Sequence, residues 1–139
     1  MVKIGLDLMG GDFAPQSPLD GIELAFKELG NDFEIHLFGN EEVLNSVKTS
    51  IPAERLVKVV TTEVIEMGES PTKAIMKKPN SSITVGLGHL KAGLIDVYIS
   101  AGNTGAVLVG SMYSVKAAEG IIRPAIASYV PNLKGGYSI

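Results

Sequence analysis

The chain has 139 residues, 45% of them hydrophobic, and its 12 Lys and Arg against 15 Asp and Glu give a formal net charge of −3. Such a chain is long and apolar enough to bury one real core, which argues against disorder, and a mild acidity without any basic stripe argues against nucleic-acid binding. With no cysteine, disulfides, zinc–thiolate sites and a cysteine nucleophile are ruled out, in keeping with a cytoplasmic setting, and no apolar run reaches spanning length.

Val2 to Leu6 is a short apolar run ending at Asp7, read as a first strand buried in a parallel sheet. Leu8 to Pro15 cannot continue it. Gly10, Gly11, Asp12 and Pro15 make a loop at a strand's C-terminal end, where open α/β sheets place their ligands. A helix follows, with Ser17 as its cap, Pro18 at its first position and Gly30 just past its end; Ile22, Leu24, Ala25, Phe26 and Leu29 form its inward face. Glu34 to Gly39 is a second strand, Asn40-Glu41-Glu42 opens a short helix with acid in its first turn, and Leu56 to Val60 is a third strand. Strands separated by helices predict a mostly parallel sheet with helices on both faces.

Ser70 to Pro79 reads as a helix of about two turns, capped by Ser70 and stopped by Pro79. Lys73 and Lys77 lie four apart and share a face. That face is either simply solvated or a cationic wall for an anionic substrate or acidic partner. A further helix spans roughly Ser82 to Ala92. Its Gly86-x-Gly88 is no dinucleotide fingerprint, because the third glycine is missing and no strand precedes it, and no Walker A motif appears anywhere.

Asp96 to Gly110 reads DVYISAGNTGAVLVG: a β-prone run at Val97-Tyr98-Ile99, a small-residue loop, then an apolar helix start. At such a joint, free backbone N–H groups and the positive end of the helix dipole converge, which favours an anion, most often phosphate. Gly102 and Gly105 allow close backbone approach, while Ser100, Asn103 and Thr104 add donors and a helix cap. A plain capped strand-to-helix turn is the other reading. The two loops, 8–15 and 100–105, are expected to meet at the same sheet edge. After Arg123-Pro124, Ala125 to Val130 is strand-like, a turn covers Pro131 to Gly136, and another strand begins at Tyr137. That ending predicts that residues 1–139 are the N-terminal part of a longer protein. His36 and His89 have no visible partners and are read as structural; Met9, Met67, Met76 and Met112 are expected to fill core or pocket walls.

Taken together, Leu6 to Pro15, Ser70-Pro71-Thr72-Lys73-Ala74-Ile75, Ser100 to Ala106 and Gly120-Ile121-Ile122-Arg123-Pro124-Ala125 resemble, in order and spacing, the bacterial phosphate acyltransferases of phospholipid synthesis. The resemblance spans the whole chain, although that family is more than twice as long; Leu8 stands where the family usually has Ala. It implies a three-layer α/β/α fold like phosphotransacetylase and the isocitrate/isopropylmalate dehydrogenases, usually as a homodimer. It also implies acyl transfer from acyl carrier protein to inorganic phosphate, with peripheral membrane contact through a region not in this sequence. Phosphate is a competent nucleophile and a thiolate a good leaving group, so positioning and oxyanion stabilisation dominate, with no cofactor or metal expected. On that reading Lys73, Asn103 and Thr104 are the catalytic candidates. Gly10, Gly11, Asp12, Ser100, Gly102, Gly105 and Arg123 bind phosphate or the acyl group, and Lys77 and Lys78 dock the carrier protein. The alternatives are a dehydrogenase of the same fold and an anion- or nucleotide-binding module without catalysis.

Overall fold

The strands are β1 (Val2–Asp7), β2 (Phe33–Gly39), β3 (Leu56–Val60) and β4 (Val97–Ile99). In the computed structural model, which describes residues 1–28, 32–128, 130–131 and 137–138, they pair in parallel in the order β3-β2-β1-β4. The helices are α1 (Gln16–Glu28), α2 (Glu41–Ser46), α3 (Pro71–Lys77), α4 (Ser82–Lys91) and α5 (Thr104–Ser114).

Two cores sit on opposite faces of this sheet, because side chains alternate along each strand. Leu6, Phe33, Ile35 and Leu37 meet Ile22 of α1 and Leu44 of α2 on one face. On the other, Ala74, Ile83, Leu87 and Ala106 of α3, α4 and α5 cluster with the half-buried Tyr98. The result is the expected three-layer α/β/α arrangement. Gly86 belongs to this packing rather than to any nucleotide fingerprint: a Cβ there would strike the Tyr98 ring, whose hydroxyl donates to Ser82 O at 2.9 Å.

Several boundaries differ from the sequence reading. α1 starts at Gln16 instead of Pro18, since Ser17 N–H already bonds Phe13 O at 2.9 Å; Ser17 is inside the helix, and Pro18 is tolerated because first-turn N–H groups have no intrahelical acceptor. Leu24 is 59% exposed, off the inward face, whereas Ile22 is buried; Leu29 and Gly30 lie outside the described residues. Ser70 occupies the N-cap position of α3 but its side chain makes no cap bond. Residues 125–128 are irregular. Among the described residues, strand pairing there is limited to β5 (Val130–Pro131) with β6 (Tyr137–Ser138), antiparallel, since a β-prone run needs an edge to pair with. The turn expected over 132–136 lies outside the described residues. Met67, Met76 and Met112 are exposed instead of filling core or pocket walls. No described helix is long and apolar enough to cross a membrane.

Both histidines belong to the α4 side of the sheet. His36 is buried with Nε2 2.6 Å from Glu34 Oε1, and His89 meets Phe38 edge-on, centroids 5.1 Å apart. Burial, and secondarily the charge of His36, holds the His89 pKa below its ordinary 6.5. The unfolded chain therefore takes up the proton first, and stability falls as pH drops below 6.5. Urea midpoints measured from pH 7.5 down to about 5, above the main carboxylate range, are expected to decline in the parent and to decline less in His89→Gln. Equal slopes would remove His89 as the cause.

Candidate active site

From β1 the chain moves sideways to β2 and β3, then returns across the sheet to β4 on the other flank of β1. The strand order thus reverses between β1 and β4, and the crevice beyond the C-terminal ends of such a strand pair is where open α/β sheets bind ligands. The loops after these strands are the two singled out in the sequence, and they meet.

Asp7 ties them together. It is 1% exposed, and a buried carboxylate needs partners: Ser100 Oγ donates to Asp7 Oδ2 at 2.7 Å, and Met9 N–H donates to Oδ1 at 2.8 Å. Gly102 N–H in turn donates to Ser100 Oγ at 3.0 Å. The approach is close enough to require glycine at position 10, where a Cβ would lie 2.6 Å from Asp7 Oδ2 and 2.7 Å from both N and Cα of Gly102. Sequence reasoning did not single out Asp7; a carboxylate closing a buried strand was the available signal.

Asn103 is the N-cap of α5, with Oδ1 accepting from Ala106 N–H at 3.0 Å. Its Nδ2 donates to the carbonyls of Glu66, Met67 and Glu69 at 3.0, 3.2 and 3.1 Å. Both ends of this buried amide are therefore occupied by the protein itself, which makes Asn103 a brace holding the 66–69 loop to the helix start. Lys78 holds the same loop, donating to Val64 O at 2.6 Å and pairing with Glu69. The Glu69 carboxyl is kept below its usual range first by Lys78 and then by Glu66 N–H. At Gly105 a Cβ would lie 2.5 Å from Pro71 Cγ, so the small residue lets the first turn of α3 seat against the first turn of α5.

The N–H groups of Thr104 and Gly105, the first two of α5, have no intrahelical acceptor, and the dipole leaves this end positive. Thr104 also lines a cavity of about 260 Å³, together with Ser100, Gly102, Val107, Leu108, Ser111 and Ile126. Gly10, Gly11 and Asp12 line a second cavity of about 480 Å³ on the α1 side, with Ala101. Lys73 and Lys77 are exposed on α3, and Arg123 is exposed on the irregular segment after α5; none of the three lines either cavity. The structure thus brings both glycine loops together without placing the expected cations in the lining of either cavity.

A family model described as fatty acid synthesis protein matches residues 2–139. The chain belongs to this family. It is similar to proteins named phosphate acyltransferase from Caldanaerobacter subterraneus subsp. tengcongensis, 43% identical over 96% of this chain and 40% of the relative, and from Limosilactobacillus reuteri, 43% identical over 99% and 39%. The protein of that name from Salinibacter ruber is 40% identical over 96% of this chain and 40% of its own length. The chain spans about 40% of the length of these relatives.

Proposed function

We propose that this chain carries the phosphate-holding part of a phosphate acyltransferase, an enzyme moving an acyl group from the thioester of acyl carrier protein to inorganic phosphate. The observation that carries this reading is the junction of the two glycine loops at the switch point, beside the cavity that Ser100, Gly102 and Thr104 line at the start of α5. In the reaction a phosphate oxygen forms a bond to the thioester carbonyl carbon, the C–S bond breaks, and the thiolate leaves with its electron pair, giving acyl phosphate. Little proton transfer is needed, so the protein's contribution is alignment and charge stabilisation. Ser100, Gly102, Thr104 and Gly105 hold the phosphate, Gly10, Gly11 and Asp12 face the acyl side, and Asn103 positions the helix start. Lys73 and Arg123 supply positive charge once the site is assembled. The exposed Lys77 is the docking charge for an acidic carrier protein, with Lys78 fixing the loop behind it. A cytoplasmic homodimer in peripheral contact with the membrane belongs to the same reading.

Titration with inorganic phosphate, followed by amide NMR, is expected to move the Thr104 and Gly105 signals. Thr104→Ala loses one donor to an anion and is expected to weaken phosphate binding roughly tenfold or more while melting near the parent. NAD or ATP shifting these amides where phosphate does not would replace this reading with a nucleotide-binding module.

A further inference from the structure

The larger cavity, on the α1 side of the sheet, shares no lining residue with the one beside Thr104. Gly10, Gly11 and Asp12 line its loop end, and it runs beneath α1 to Ile4, Ile35 and Phe33, with the exposed Phe13 and Ile99 also in its lining. Strand register places Ile4, Leu6, Ile35 and Ile99 on one sheet face, and Ser17, Pro18, Gly21, Ile22 and Ala25 line the opposite wall at the spacing of a single helix face. From Asp7 back to Ile4 is about 10 Å of strand.

The chemistry of the lining is graded. Its two ionisable side chains, Asp7 and Asp12, both belong to the loop end, and apart from Ser17 in the first turn of α1 the other side chains are apolar. Such a space suits a ligand with a long uncharged tail and a polar head left at the loop end, and about 480 Å³ is within the usual range for a small-molecule pocket. Its position is equally specific. Ala101 lines this cavity while its neighbours Ser100 and Gly102 line the smaller one, so one short peptide segment separates the two.

We propose that the cavity beneath α1 is the binding site for the hydrocarbon tail of a straight-chain fatty acyl group. Its carbonyl end then lies at the Gly10–Asp12 and Ser100–Gly102 junction, on the other side of that segment from the anion. The assignment rests on the acyl-transfer reading above, and it makes the depth of this cavity the ruler for chain length.

Gly21 provides a clean probe. It lies mid-helix with nothing within 4 Å of where its Cβ would be, and replacing a helical glycine favours the helix, so Gly21→Leu folds while filling space in the cavity. The test uses the 139-residue chain, n-alkyl phosphonates from hexyl to tetradecyl kept below their micellar range, and inorganic phosphate alone, with isoleucine methyl and backbone amide NMR as readouts. The alkyl phosphonates are expected to shift the methyls of Ile4, Ile22, Ile35 and Ile99 but not those of Ile83 and Ile95 across the sheet. Affinity should rise roughly fourfold per added carbon until the cavity is full. Gly21→Leu should weaken tetradecyl phosphonate tenfold or more and leave hexyl phosphonate unchanged. Affinity independent of chain length, shifts centred on Ile83 and Ile95, or a Gly21→Leu effect equal at all lengths would overturn the tail site. If phosphate alone fails to move Thr104 and Gly105 while the length dependence persists, the tail site stands and only the phosphate reading falls.

Discussion

Gly10→Ala is expected to destabilise the protein by roughly 3 kcal/mol, combining overpacking with a buried carboxylate stripped of a partner. The new methyl would sit 2.6 Å from Asp7 Oδ2 and 2.7 Å from the backbone of Gly102. No side-chain rotation relieves a clash with backbone, so the two loops must separate. Separation removes the Ser100 hydroxyl from Asp7, and Asp7 remains 1% exposed with too few donors. Gly102→Ala makes a useful contrast: its methyl would lie 3.2 Å from Gly10 Cα and 3.2 Å from Ser100 Oγ, contacts that a shift of a few tenths of an ångström relieves. Denaturant midpoints at unchanged m should therefore rank the parent first, Gly102→Ala next and Gly10→Ala last, and Gly10→Ala, by parting the loops, should abolish the phosphate response at Thr104 and Gly105. A Gly10→Ala protein as stable as Gly102→Ala would show that the loops are not held by this contact.

What could be read in the sequence, and what could not, divides along local and non-local interactions. β1 to β4 and α2 to α5 follow from apolar runs, turn residues and caps, which act within a few positions of one another. Asn103 is legible as a cap for that reason. Its second role is not, because the three carbonyls it holds belong to residues 34 to 37 positions earlier and nothing near Asn103 in the chain reports them. Asp7 was hidden in the same way, since Ser100 is 93 residues distant. Lys78 looked like one more surface cation beside Lys77, yet its ammonium is used on Glu69 and Val64. The misreadings at Ser17 and Leu24 have a local origin: the turns over 12–15 lead into the helical hydrogen-bond pattern, with Ser17 N–H on Phe13 O and Leu19 N–H on Pro15 O, so the helix begins earlier than its cap-like serine implies and its buried stripe turns with it.

Asn103→Asp is expected to destabilise the protein by roughly 2–4 kcal/mol at pH 7, at least as much as Asn103→Ala, although Asn and Asp are nearly equal as helix caps. One carboxylate oxygen would still accept from Ala106 N–H. The other would replace Nδ2 and face the carbonyl oxygens of Glu66, Met67 and Glu69 at about 3 Å, putting a charge in a site 5% exposed with acceptors where it needs donors. Both effects raise the folded-state pKa of the introduced carboxyl. Raised above its unfolded value, the carboxyl binds its proton more tightly in the folded state, so the penalty shrinks as pH falls from 7 toward 4; the protonated form can donate one bond back to the carbonyls. Asn103→Ala has no such group and its deficit should not shrink. The two variants also separate by ligand: the carboxylate, sitting at the end of α5 where we propose that the anion binds, should lower phosphate affinity beyond the loss seen with Ala. Guanidinium denaturation of both variants at pH 7 and pH 4 decides the matter. An Asn103→Asp protein matching the parent at pH 7 would reduce Asn103 to a cap and leave the 66–69 loop to Lys78.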